Sequence, residues 1–274
     1  HNVYALFLAP IALGAIYYIL PKRLGRPISG YNWASLGFWS FAAFATFGGL
    51  AYLSGSPVPG WVQALGGAAN FMLLVPLFII GYNFLGTMFK GSAAGGGGPA
   101  LSFIKFGAVA FLVAGLMIKL FSLPQVYVTT QLTFVNEAMN QMHWFAFVSM
   151  SLIGAIYFMV PRLVTHAWPS GALITAHYWS SVAGVIMIVG SLVLAGFAQG
   201  AAINDVEAFP AFADVAGSYA GYLVGAALGF LTLLVGQLAF LVNILMAIYQ
   251  ACFGKPVDDP TSLFPNPPAL EVNS

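Results

Sequence analysis

The sequence predicts an all-α polytopic membrane bundle of about seven transmembrane helices, and three observations carry that prediction. Hydrophobic residues fill 60% of the 274 positions, charged residues only 5%, and mean hydropathy is +0.90. A water-facing surface on a domain of this size needs far more charge. Apolar stretches of about 20 residues recur along the chain, each long enough to cross the hydrocarbon core as a helix. Seven of the eight Lys and Arg residues then fall on one side of a seven-span arrangement, which an even span count would scatter.

Taken in order, the spans are Val3–Leu20, Asn32–Ser54, Trp61–Phe89, Leu101–Leu123, Asn136–Val160, Leu173–Phe197 and Ser218–Tyr249. Pro21, Pro124 and Pro161 are expected to close three of them, because proline cannot continue a helix without losing a bond. The third and seventh are long enough to tilt or to project from the bilayer. Pro76 lies inside the third and is a candidate kink. Lys22, Arg23, Arg26, Lys90, Lys105, Arg162 and Lys255 share one side; Lys119, Glu137, Asp205, Glu207 and Asp214 occupy the other. That asymmetry puts the N-terminus outside and the C-terminus in the cytoplasm. Residues 1–255 are thus read as one seven-helix transmembrane domain, and 256–274 as a polar, proline-rich cytoplasmic tail.

Several chemistries are disfavoured by composition. The net charge of +1 gives no footprint for nucleic acid, and the single Cys252 offers neither a disulfide framework nor a thiolate metal site. The Gly91–Pro99 connection lacks the Gly-Lys-Ser/Thr ending of a phosphate loop and reads as a linker. Gly221, Gly225 and Gly229 put three small surfaces on one face of the last span, suited to close packing within the chain or against another subunit. The deep polar groups are mainly Asn70, Asn83, Gln237 and Asn243, and no inverted repeat is visible. The chain opens on His1 rather than Met, which points to processing or to a start inside a longer sequence.

The first span reads His1-Asn2, then Gly14-Ala-Ile-Tyr17-Tyr18-Ile-Leu-Pro21-Lys22. This resembles the sixth helix of the catalytic subunit, subunit I, of cbb3-type cytochrome c oxidases in the haem–copper oxidase superfamily. Gly154-Ala155-Ile156-Tyr157 before Pro161 repeats the likeness. So do His177-Tyr178-Trp179, which resembles the opening of that family's eleventh helix, and the stretch from Ser191 to Gln199-Gly200. The resemblance covers most of the chain and the C-terminal half of the family's subunit.

The resemblance implies that His1 stands where the family has a copper ligand. It puts Ala51 and Tyr52 where the family has an adjacent histidine pair, and the cross-linked tyrosine falls near Ala45. One imidazole is a poor copper site, so no active-site copper is expected and His1 is read as a relic. The family's two haem ligands align without gaps on Met139 and Gln141. A shift of two residues, about 200° around a helix, instead brings Gln141 and His143 there, making His143 a candidate axial ligand for haem b. His166 falls in a loop, and His177 lies at the opposite end of its span from His143. The implied function is a degenerate subunit I-like membrane subunit of an electron-transfer complex. It would sit in the lipid bilayer among other membrane subunits, dock a redox partner such as a cytochrome c, bind one haem b and not act catalytically. A cofactor-free structural subunit and a small-molecule transporter are the alternatives.

Overall fold

The computed structural model describes residues 1–53, 56–90 and 97–254, and for Tyr52 and Pro124 the backbone alone. Most of the Gly91–Pro99 linker, Lys255 and the 256–274 tail lie outside the described residues. Seven apolar helices are long enough to cross a membrane: α1 (Tyr4–Leu24), α2 (Tyr31–Ala51), α3 (Gly60–Phe89), α4 (Pro99–Phe121), α5 (Phe134–Val164), α6 (Gly171–Asn204) and α7 (Phe212–Phe253). A short helix, Pro124–Thr130, links α4 to α5, and no strand occurs among the described residues. All seven sequence-predicted spans are present, and the chain is a multi-pass helical membrane bundle.

The ends differ from expectation for local reasons. Pro21 and Pro161 sit inside the last turns of α1 and α5, which run on to Leu24 and Val164. Proline removes only its own N–H; the Pro21 carbonyl still accepts from the backbone of Arg26 at 3.2 Å. Left-handed residues then end both helices, Gly25 at φ 63° and Thr165 at φ 54°. Pro124 opens the short helix instead of closing α4, a first-turn position where its missing N–H costs nothing. The third span is interrupted at Leu73, between helical segments ending at Met72 and starting at Leu74. This lies three residues before Pro76, whose lack of an N–H weakens that turn. Side-chain caps hold two starts: Thr133 accepts from the Val135 N–H and Ser170 from the Leu173 N–H.

Two compact units divide the described chain. The first holds residues 1–116 with 150–155, and the second 117–149 with the described residues from 156 onward. In the first, α1 buries Ala9, Ala12, Ile16 and Leu20, while α3 contributes Ile80 and Phe84. Gly154 lets α5 press on α4, since an added methyl would lie 2.9 Å from Ile104. In the second, the α6–α7 seam is built from small residues. A methyl on Gly184 would lie 2.8 Å from the Gly229 carbonyl, and one on Gly225 would meet the Ser191 hydroxyl at 2.5 Å. Two members of the sequence-predicted glycine stripe therefore pack within the chain, whereas Gly221 has nothing within 4 Å. The many large apolar side chains left exposed, among them Leu234, Val235 and Leu241 on α7, are suited to a lipid solvent.

Candidate functional site

His1 stands immediately before α1, whose first turn, Tyr4–Leu8, is a π-helix. Its carbonyl starts that turn by accepting from the Ala5 N–H at 2.8 Å. The imidazole lies against the end of α2, where two glycines admit it. A methyl on Gly49 would be 3.0 Å from His1 Cδ2, and one on Gly48 would be 3.6 Å from Nε2. His1 is thereby brought to the very segment where the resemblance puts the family's histidine pair. Ala51 stands there, Tyr52 has no described side chain, and Ala45 six residues before Ala51 is wholly buried and apolar. Among the described residues no group of three or more His, Cys, Asp or Glu is close enough to hold a metal.

His143 sits on a second π-helical stretch, Met142–Ser149, inside α5. Its Nδ1–H donates to the Met139 carbonyl at 2.7 Å. This bond fixes the tautomer and assigns metal ligation to Nε2. The π-helix also changes which way the ring points. Each N–H there reaches back five residues, so the backbone turns by roughly 80° per residue against about 100° in an α-helix. From Met150 back to His143 the lag reaches roughly 130°, about four fifths of the roughly 160° that separates the two registers by the shorter way round. Relative to an unbroken helix, His143 swings toward the direction that position 141 would take. Met139 is buried in the core, and the Gln141 amide is turned onto the Glu137 carboxylate.

The structure also assembles a cluster around His177, which is wholly buried on α6. Its Nδ1 is 2.9 Å from the Tyr157 hydroxyl of α5 and its Nε2 is 3.4 Å from the Gln237 amide of α7. Phe240 lies 5.0 Å from the imidazole and 5.6 Å from the Tyr157 ring, centroid to centroid. The Trp168 indole donates to the Tyr157 carbonyl at 3.1 Å. That carbonyl is the one Pro161, four residues on, cannot serve. Next to it Asn243, also wholly buried, clamps the α5–α6 loop by bonding both the N–H and the carbonyl of Ser170 at 3.2 Å. His166 donates from Nδ1 to the Val164 carbonyl in this loop.

The first unit repeats the plan. Gly14-Ala-Ile-Tyr17 before Pro21 matches Gly154-Ala-Ile-Tyr157 before Pro161, and Trp39-Ser40 matches Trp179-Ser180 at the same offset. Asn83 of α3 plays the part of Asn243. Its Nδ2 donates to the Ser29 and Gly30 carbonyls of the α1–α2 loop at 2.7 and 3.0 Å, and its Oδ1 accepts from Tyr17 at 2.8 Å. Thr87 adds a hydroxyl that accepts from the Ser29 N–H at 2.9 Å. His177 is replaced at this offset by Gly37. Sequence reasoning named Asn83, Gln237 and Asn243 as deep polar groups but not their partners. The repeated Gly-x-x-Tyr-x-x-x-Pro motif was the signal available for Tyr17 and Tyr157.

Fold and site together define a class: a helical membrane protein with one histidine just before a π-helical turn, another within a π-helical stretch, and buried amides that tie its loops. The sequence profile described as Cytochrome C and Quinol oxidase polypeptide I matches residues 1–232, and the chain belongs to that family, within the haem–copper oxidase superfamily. It is 27% identical over 266 residues to the cbb3-type cytochrome c oxidase subunit CcoN1 of Stutzerimonas stutzeri, covering 91% of this chain and 52% of that one. It is 26% identical to a cytochrome c oxidase subunit 1 homolog of Agrobacterium tumefaciens (strain T37), covering 90% and 47%. Cytochrome c oxidase subunit 1 of Rhodobacter capsulatus is 25% identical, covering 86% and 46%. The chain spans about half the length of these relatives. Its seven apolar helices and bacterial kin make it a multi-pass protein of the bacterial membrane.

Proposed function

We propose that this chain is a subunit I-like membrane subunit of a respiratory electron-transfer complex that lacks an oxygen-reducing copper centre and docks or orients redox partners. The observation that carries this reading is the donor set at His1. Where the family gathers several copper ligands, this chain offers one imidazole facing Gly48 and Gly49, and a lone imidazole does not fix copper in a defined geometry. Its partners are other membrane subunits and a soluble carrier such as a cytochrome c, named by analogy with the relatives. The basic ends of the helices face the cytoplasm.

The residues near His143 fit a haem better. The ring is half-buried in an apolar helix and oriented through Nδ1 by a backbone carbonyl, as metal-bound histidines are. A haem b bound there would supply one-electron exchange. What the chain itself contributes is the held imidazole and the π-helix that aims it. Any further ligand to it would have to come from another polypeptide segment. A cofactor-free structural subunit is the second reading, favoured by the same Nδ1 bond, which already ties the ring to its own helix.

A reduced-minus-oxidised absorption spectrum with pyridine haemochrome quantitation tests this on the purified chain and on its complex. Haem b that is present in the wild type, lost in His143→Ala and kept in His177→Leu supports His143 ligation. Haem b unchanged by His143→Ala, or none attributable to the chain, leaves the structural reading. Stoichiometric copper that is lost in His1→Ala would overturn the copper-free proposal.

A further inference from the structure

We propose that the groove between α2 and α3 binds an anionic phospholipid, with an acyl chain between the helices and the phosphate at the basic helix ends. The groove, about 310 Å³, is lined by Trp33 of α2 and by Phe78, Ile79 and Tyr82 of α3. Two glycines bring its walls together. Any side chain at Gly30 would strike the Tyr82 ring, and a methyl on Gly37 would lie 2.9 Å from Ile79. Trp33, Phe78 and Tyr82 are 57%, 64% and 56% exposed, so the groove opens sideways to the bilayer. Its aromatic rings with polar tips, Trp33 and Tyr82, suit the headgroup level, where such side chains concentrate. Phe78 lies one turn deeper.

Charge selects the kind of lipid. No Asp or Glu occurs before Glu137, whereas Lys22, Arg23, Arg26, Lys90, Lys105 and Lys119 all do. Arg26 stands four residues before Gly30 in the α1–α2 loop. Lys90 ends α3, eight residues beyond Tyr82, or about 12 Å along the helix. Lys22 is held at the end of α1, its ammonium donating to the Tyr18 hydroxyl at 2.7 Å and lying 4.0 Å above that ring. Arg26 and Lys90 thus stand at the same helix ends as the groove's Gly30 and Tyr82, in a stretch of chain that supplies no carboxylate. A phosphodiester without a compensating ammonium matches that field, and a zwitterionic headgroup does not. The apolar lining requires an acyl chain as well, which inorganic phosphate lacks.

The test uses the purified chain in nanodiscs with lipids brominated on their acyl chains, and the tryptophan fluorescence they quench. The Trp33 contribution is isolated by difference from Trp33→Phe. Brominated phosphatidylglycerol is expected to quench Trp33 at roughly a thirtyfold lower mole fraction than brominated phosphatidylcholine, as two nearby cations would give. The double variant Arg26→Gln with Lys90→Gln should bring the two lipids level while helicity by circular dichroism stays unchanged. Equal quenching by both lipids in the wild type overturns the proposal, as does a preference that survives the double variant. Suppression of the preference by millimolar inorganic phosphate without loss of quenching would also overturn it, assigning the cations to free anions.

Discussion

The α1–α3 and α5–α7 triplets share one plan and wire it differently. Each pairs a tyrosine four residues before a proline with a wholly buried asparagine two helices later, and each asparagine grips the loop between the first two helices. In the first triplet Asn83 joins tyrosine and loop: it accepts from Tyr17 and donates to two loop carbonyls, while Thr87 takes the Ser29 N–H. In the second the work is divided. Asn243 serves the loop alone, and Tyr157 turns to His177, itself backed by Gln237. A histidine is therefore not needed to hold a loop in this plan, because Gly37 occupies its place in the other triplet.

Removing the asparagines tests that division most strongly. Asn83→Leu leaves the Tyr17 hydroxyl and two carbonyls without their partner and should cost about 3 kcal/mol, against about 1.5 kcal/mol for Asn243→Leu. Unfolding in mixed micelles measures both, and equal losses would break the comparison. His177→Leu strands a hydroxyl and an amide and should cost about 2 kcal/mol. Combining it with Tyr157→Phe should recover about 1 kcal/mol of the summed losses, a coupling that strictly additive variants would refute. The smallest effect concerns the carbonyl released by Pro161. Trp168→Phe should cost about 0.5–1 kcal/mol, and most of that should vanish in a Pro161→Ala background, where the restored backbone N–H replaces the indole. A penalty unchanged in that background would mean that Trp168 acts through packing alone.

The seven spans were legible because a run of about 20 apolar residues has few options other than crossing the bilayer. Their ends were not, since Pro21 and Pro161 remove a donor without preventing one more turn. Family membership was readable from the His1-Asn2 opening and the two Gly-x-x-Tyr-x-x-x-Pro motifs. The partners of the deep polar residues were hidden, because which side chains meet depends on the rotational phase of each helix. In Met142–Ser149 that phase was unreadable: in a run so apolar, a π period leaves the same hydrophobic pattern as an α period. The approach of His1 to Gly48 and Gly49 was likewise silent, since glycine marks a close approach only once its neighbour is known.

The length of α7 has a further consequence. Its 42 residues extend about 63 Å, roughly twice the hydrocarbon thickness of about 30 Å. The helices of 21 to 23 residues, α1, α2 and α4, match one bilayer thickness and resist any other. The last helix matches none in particular. Held at Ser170 through Asn243, it can expose or submerge apolar turns at its far end without moving its anchor. The chain should therefore tolerate thin and thick bilayers at that end, with the short helices alone setting the depth at which it rides.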